Sequence, residues 1–167
     1  MKSLSLRKED EKMEIFFRNR SKKKLIPALK LRCLTLRVIK ELLDQYPFKN
    51  PQLSILFVDD DQIRAMNKKY RKVNCPTDVL SFPMLEKPGA PHSPDEITTL
   101  GDIVISLETS ARQSGEMGHS LEKEIVLLLV HGFLHLLNYD DQKPIDRRRM
   151  LALQKRWMKR LEKENVC

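Results

Sequence analysis

Along the 167-residue chain the hydrophobic pattern changes period several times, and each change marks a predicted element. Met13-Glu-Ile-Phe-Phe-Arg18 is a short β-rich run closed by the polar cluster Asn19–Lys24, and it predicts a strand. From about Pro27 to Tyr46, Leu29, Cys33, Leu36, Val38, Ile39, Leu42 and Leu43 recur at helical spacing. Pro27 near the start and Pro47 past the end suit helix boundaries, and Lys30, Arg32, Arg37 and Lys40 are left outside. Gln52–Val58 alternates and then turns wholly apolar, as a half-buried to buried strand does. Asp59-Asp60-Asp61 follows. Three adjacent carboxylates invite a metal-site reading, but the start of a helix welcomes negative charge, and Ile63, Met66, Asn67 and Tyr70 continue at helical spacing as far as Arg71-Lys72. The helix-start reading is preferred.

The second half repeats the alternation less evenly. Cys75–Pro83 holds a strand of about four residues between two prolines, which points to an edge or a short strand. Glu86–Thr99 lacks periodicity and predicts a loop, with His92 a solvated loop histidine. Gly101–Ser106 is a tight β-branched run, and Ser106 reads as the N-cap of a helix reaching about Met117. Ser120 restarts a helix that is nearly all apolar over its last three turns to Leu137, the most buried helix of the chain. Asn138, which tolerates left-handed geometry, is its stop. Ile145 to about Lys163 is amphipathic, with Met150, Leu151, Leu153, Trp157, Met158 and Leu161 on one face and Arg147, Arg148, Arg149, Lys155, Arg156, Lys159 and Arg160 on the other. A single α+β domain follows, with four strands in one mixed sheet and about five helices.

Composition adds a direction. Net charge is +8, but residues 1–50 sum to +8, residues 51–140 to −5 and residues 141–167 to +5. Basic ends around an acidic middle suit either a polyanionic partner or solvated lysine faces. Cys33, Cys75 and Cys167 are odd in number and form no CxxC pair, which fits a reducing cytosol and offers no cysteine metal site. No secretory signal is visible at the N-terminus, and the apolar run Ile125–Val130 is far too short to span a bilayer. The expectation is a cytoplasmic protein with no membrane contact.

The chemistry sits at the end of the buried helix, in His131-Gly-Phe-Leu-His135-Leu-Leu-Asn-Tyr-Asp140-Asp141. Residues four apart on a helix share a face with Cβ atoms about 5–6 Å apart, so the two imidazoles can share one ion. A third ligand just beyond the helix would leave an open position, as in catalytic zinc. The bland alternative is a hydrogen-bonded core pair. In the zincin motif HExxH the residue after the first histidine is the general base; here it is Gly132, which argues against a peptidase.

HGFLHLLNYDD resembles HGxLHLxGYDH, the signature of the YbeY family of metal-dependent endoribonucleases. Asn67-Lys-Lys-Tyr-Arg71 with Pro76–Pro83, and Leu100-Gly-Asp-Ile-Val104, are similar to two further family blocks, and the likeness covers about residues 13–160. The resemblance implies a zinc ion, single-stranded RNA as substrate, and a role in ribosomal RNA maturation at the 16S 3′ end and in ribosome quality control. It makes His131 and His135 the first two ligands and Arg71 the catalytic arginine facing the phosphate. The family's third histidine falls on Asp141. Zinc accepts carboxylate oxygen, although an anionic ligand lowers the positive charge of the site and its preference for zinc over Mn²⁺ or Mg²⁺. Asp140 is the rival ligand. Asp102 is read as a general base, as a group orienting a ligand histidine, or as a turn carboxylate beside Gly101. Three functions stay open: a metal-dependent endoribonuclease working on RNA at the ribosome, an assembly factor with a structural metal, and a metallohydrolase of another substrate such as a peptide. DNA is not an expected partner.

Overall fold

A computed structural model describes residues 12–85 and 97–164; His92 and Cys167 lie outside these. The elements in chain order are β1 (Glu14–Asn19), α1 (Ala28–Leu43), β2 (Pro51–Val58), α2 (Asp60–Arg71), β3 (Val79–Pro83), β4 (Thr98–Ser106), α3 (Leu107–Met117), α4 (Leu121–Leu136) and α5 (Pro144–Lys163). The strands form one sheet in the order β1-β2-β4-β3. β1, β2 and β4 are mutually parallel, and β3 is the antiparallel edge that its flanking prolines foretold.

Period-two alternation sorts the strand side chains onto two faces. Leu53, Ile55 and Phe57 of β2 and Ile103 and Ile105 of β4 join the main core with α1 and α4. Val58, Leu80 and Val104 turn the other way, onto Ile63 of α2. α4 is the axle of the larger core: Ile125, Val126, Leu129, Val130, Phe133, Leu134 and Leu136 are fully buried. A register shift falls at Leu100, where Gln52 pairs with Thr99 but Leu53 with Gly101. Gly101 has φ +131°, and a Cβ there would lie 2.1 Å from the Phe82 carbonyl oxygen, so only glycine fits. The strand therefore begins at Thr98, inside the stretch predicted to be loop.

Two predicted faces also shift. In α1 the buried stripe runs through Leu31, Thr35, Val38 and Leu42, while Leu29 is 73% exposed and Cys33 is exposed as well. In α5 Leu151 is exposed, whereas Met150, Trp157 and Leu161 are buried. Within an amphipathic helix, a one-residue rotation of the contact stripe leaves the apolar count nearly unchanged, so periodicity does not fix it.

The three aspartates do open α2. Asp59 is the residue before the helix, and its carboxylate takes the Ser21 hydroxyl at 2.5 Å and the Lys22 N–H at 3.0 Å. Asp60 accepts the hydroxyls of Ser106 at 2.5 Å and Thr109 at 2.6 Å, which ties α2 to the start of α3. Burial pushes its carboxyl up, but these hydroxyls and Arg112 outweigh that and hold it below the ordinary 3.8. A depressed carboxyl stabilises the fold fully above the unfolded value, and the contribution is lost as pH falls through the folded value. Wild type should therefore exceed Asp60→Asn by about 1–2 kcal/mol near neutrality. In paired denaturation curves that gap should close on acidification below about 3.8.

Candidate metal centre

The end of α4 builds the site through its stop signal. Asn138 adopts φ +63°. Its N–H donates to His135 O at 2.9 Å, and the Tyr139 N–H donates to Leu134 O at 3.1 Å, the paired bonds of a Schellman turn. This turn folds the chain back over its own last helical residues. The Tyr139 carbonyl then meets His135 Nδ1 at 2.9 Å, and Asp141 Oδ2 comes 3.9 Å from His135 Nε2. The Asp140 carboxylate accepts the Gln142 N–H at 3.0 Å.

Hydrogen bonding sets the histidine tautomers. A carbonyl only accepts, so His135 Nδ1 carries the proton and Nε2 keeps its lone pair. His131 Nδ1 faces the Gln154 side-chain amide of α5 at 3.1 Å, and with the amide oxygen toward the ring His131 takes the same tautomer. Both free Nε2 atoms converge, 3.1 Å apart. With a lone pair on each, the two nitrogens repel at that distance unless something positive lies between them, whereas a proton on His131 Nε2 makes the contact an Nε2–H···Nε2 hydrogen bond. Tetrahedral zinc with bonds of about 2.0–2.1 Å places its ligand atoms about 3.3 Å apart. The ligand atoms of His131, His135 and Asp141 all lie within 4.8 Å of one another, so the three form a group that can hold a metal ion. With both Nδ1 atoms fixed from behind, the donor set fits a metal.

Electrostatics favour the ligand state of His135. Burial, first, and then the neighbouring His131 lower its pKa below 6.5, and the charge on Arg71 acts in the same direction; Asp141 and the Tyr139 carbonyl pull the other way. Arg71 is the last residue of α2 and exposed, yet its charge reaches this histidine from the far helix layer.

Gly132 explains the missing zincin base. It faces the sheet, where a Cβ would lie 2.8 Å from Ile103 Cγ2 and 3.2 Å from Ser81 Oγ. α4 packs too close to β4 and β3 for any side chain at that position.

The structure does not bring Asp102 to the histidines. Ile103 meets α4, and by alternation Asp102 points to the opposite face of the sheet, where its carboxylate accepts the Ser54 hydroxyl and lines a cavity beneath α2. It is not among the hydrogen-bond partners of either histidine. Gln154 and the Tyr139 carbonyl orient the histidines instead. Gln154 carried a sequence signal, as a polar residue between Met150 and Trp157 on the apolar stripe of α5.

A family model described as endoribonuclease YbeY matches residues 16–162. The chain belongs to the YbeY endoribonuclease family. Among similar relatives, the endoribonuclease YbeY of Thermoanaerobacter sp. (strain X514) is 40% identical over 157 residues, spanning 89% of this chain and 98% of the relative. That of Thermobifida fusca (strain YX) is 42% identical over 133 residues, or 77% and 84% of the two chains. That of Aquifex aeolicus (strain VF5) is 52% identical over 94 residues, or 56% and 59%. In fold, the solution structure of TM1509 from Thermotoga maritima superposes with a TM-score of 0.62 at 23% identity, covering 90% of each chain.

Proposed function

We propose that the chain is a metal-dependent endoribonuclease that cleaves single-stranded RNA, acting in ribosomal RNA maturation at the 3′ end of 16S rRNA and in ribosome quality control in the cytoplasm. Family membership supports the nuclease reading. The observation that carries the metal is the convergence of the two Nε2 atoms, 3.1 Å apart, with Asp141 beside them.

His131, His135 and Asp141 would hold the ion, with zinc the expected metal and Asp141 in place of a third histidine. A bound ion supplies activation of water and polarisation of a phosphodiester oxygen. The chain's own groups do the rest. The Tyr139 carbonyl and Gln154 keep both imidazoles in the ligating tautomer. Arg71, as the catalytic arginine, adds a fixed positive charge whose field extends to His135, and would stabilise the negative charge that grows on the phosphoryl oxygens in the transition state. The exposed cations of α1 and α5 give the RNA backbone a sequence-independent grip that weakens with salt. Gly132 removes the carboxylate a peptidase of this spacing needs, so the peptide-hydrolase reading is set aside. Among the described residues no helix is long and apolar enough to cross a membrane.

Metal removal tests this reading. Purified protein stripped with a chelator should lose cleavage of a single-stranded RNA oligonucleotide, and stoichiometric Zn²⁺ should restore it. Full cleavage by protein shown to be metal-free would exclude it.

A further inference from the structure

A cavity of about 770 Å³ lies not at the histidines but on the other face of the sheet, between α2 and strands β2, β4 and β3. That volume is in the usual range of small-ligand sites, about 300–1,000 Å³. Three kinds of group line it. Tyr70, 55% exposed, meets Phe82 edge-on with ring centroids 5.1 Å apart, giving an open aromatic wall. Asp102, held by the Ser54 hydroxyl, is the acidic group of the lining. Arg20 and Lys69 are its cations; neither has an acidic partner among the described residues, and Lys69 Nζ lies over the Tyr70 ring, 5.0 Å from its centroid. An apolar wall, an acceptor and two cations without a carboxylate partner ask for a planar ring that donates hydrogen bonds and carries an anion.

We propose that this cavity is a nucleobase subsite of the RNA track and that it prefers guanine. The inference rests on the nuclease reading for its substrate class. A carboxylate accepts only, and it is matched best by two donors side by side. Guanine presents N1–H and N2–H on one edge. Adenine and cytosine place a ring-nitrogen acceptor beside their amino group, and uracil sets a single N–H between two carbonyls. Each of these turns an acceptor lone pair toward Asp102. Tyr70 offers a stacking or edge contact for the ring, and Arg20 and Lys69 meet the phosphate. The rim cations repel a basic peptide, the other occupant that an acidic group invites. Tyr70 and Arg71 are consecutive on α2. Tyr70 lines this cavity and Arg71 follows it as the last residue of α2, so a phosphate held by Arg71 lies next to the residue that forms the aromatic wall.

Calorimetric titration of the full, zinc-loaded chain with GMP, AMP, CMP and UMP tests the subsite, with single-stranded RNA cleavage measured on the same preparation. GMP should bind about tenfold or more tightly than the other three, the worth of a charged hydrogen bond. Asp102→Asn, confirmed folded by circular dichroism, should erase that preference, and His131→Ala should keep it. Equal binding of the four nucleotides, no binding, or unchanged GMP preference in Asp102→Asn overturns the subsite. So does capture of an arginine-rich peptide in place of nucleotides. Loss of the preference with cleavage intact sinks the subsite alone. GMP preference without cleavage sinks the nuclease reading and leaves the pocket standing.

Discussion

His131→Ala and Arg71→Ala should each reduce cleavage of single-stranded RNA to background, for different reasons that one pair of measurements separates. His131 supplies one of two converging lone pairs, and its loss leaves a single imidazole and a carboxylate, too few to retain a metal at a three-ligand site. Arg71 supplies no ligand atom. Its removal should leave metal content unchanged while the rate falls by about 10²–10³-fold, the range seen when one preorganised stabiliser of developing charge is lost. Neither change should unfold the protein. Arg71 is exposed, and cutting back His131 leaves Gln154 with an unpaired carbonyl, at a cost of about 1–3 kcal/mol. Elemental analysis beside the cleavage assay gives the pattern: metal lost and activity lost for one, metal kept and activity lost for the other. Retained cleavage in both variants would mean that the activity belongs to a contaminant.

Gly132→Glu, the change that would complete HExxH on paper, is expected to destabilise the fold rather than create a peptidase. The first atom added collides with Ile103 Cγ2 at 2.8 Å, and Ile103 is β-branched, fully buried and locked in the central sheet. The carboxylate beyond it would enter the closest contact between α4 and the sheet. Overpacking costs about 1–3 kcal/mol and an unpaired buried charge costs more, so the combined loss should exceed about 3 kcal/mol. Gly132→Ala pays only the overpacking, partly offset by about 1 kcal/mol of helix propensity. Urea midpoints should therefore fall in the order wild type, alanine, glutamate. An unchanged midpoint for the glutamate variant would refute the packing account.

Most of this architecture could be read from the chain because each element carries its own period and punctuation. Pro76 and Pro83 bracket an edge strand, the aspartates open α2, and Ser106 and Ser120 cap α3 and α4 with side-chain bonds to Thr109 and Lys123. Asn138 ends α4 in the left-handed turn its type allows. Family membership was equally legible, since the three motif blocks stand in order. What escaped depends on long-range geometry. The register shift at Leu100 starts β4 early, and nothing local signals it. Asp102 sits beside a motif glycine, yet strand alternation sends it to the face away from the histidines, a fact visible only once Ile103 is known to pack on α4. Gln154 reaches His131 across the α4–α5 contact, which sequence spacing does not reveal.

Asp141 is the candidate ligand at which this chain departs from the family signature, as Asn138 does at the loop glycine, and metal content measured at position 141 tests the central claim most directly. Wild type, Asp141→Ala and Asp141→His should be purified in parallel, analysed for bound metal per chain and assayed on the same single-stranded RNA. The account predicts about one ion per chain in wild type, with the aspartate supplying the third ligand. The alanine variant should lose metal and cleavage together, and the histidine variant should keep both. An alanine variant with undiminished metal would remove Asp141 from the site. Metal lost with cleavage intact would contradict the proposal that these residues hold the ion the reaction uses.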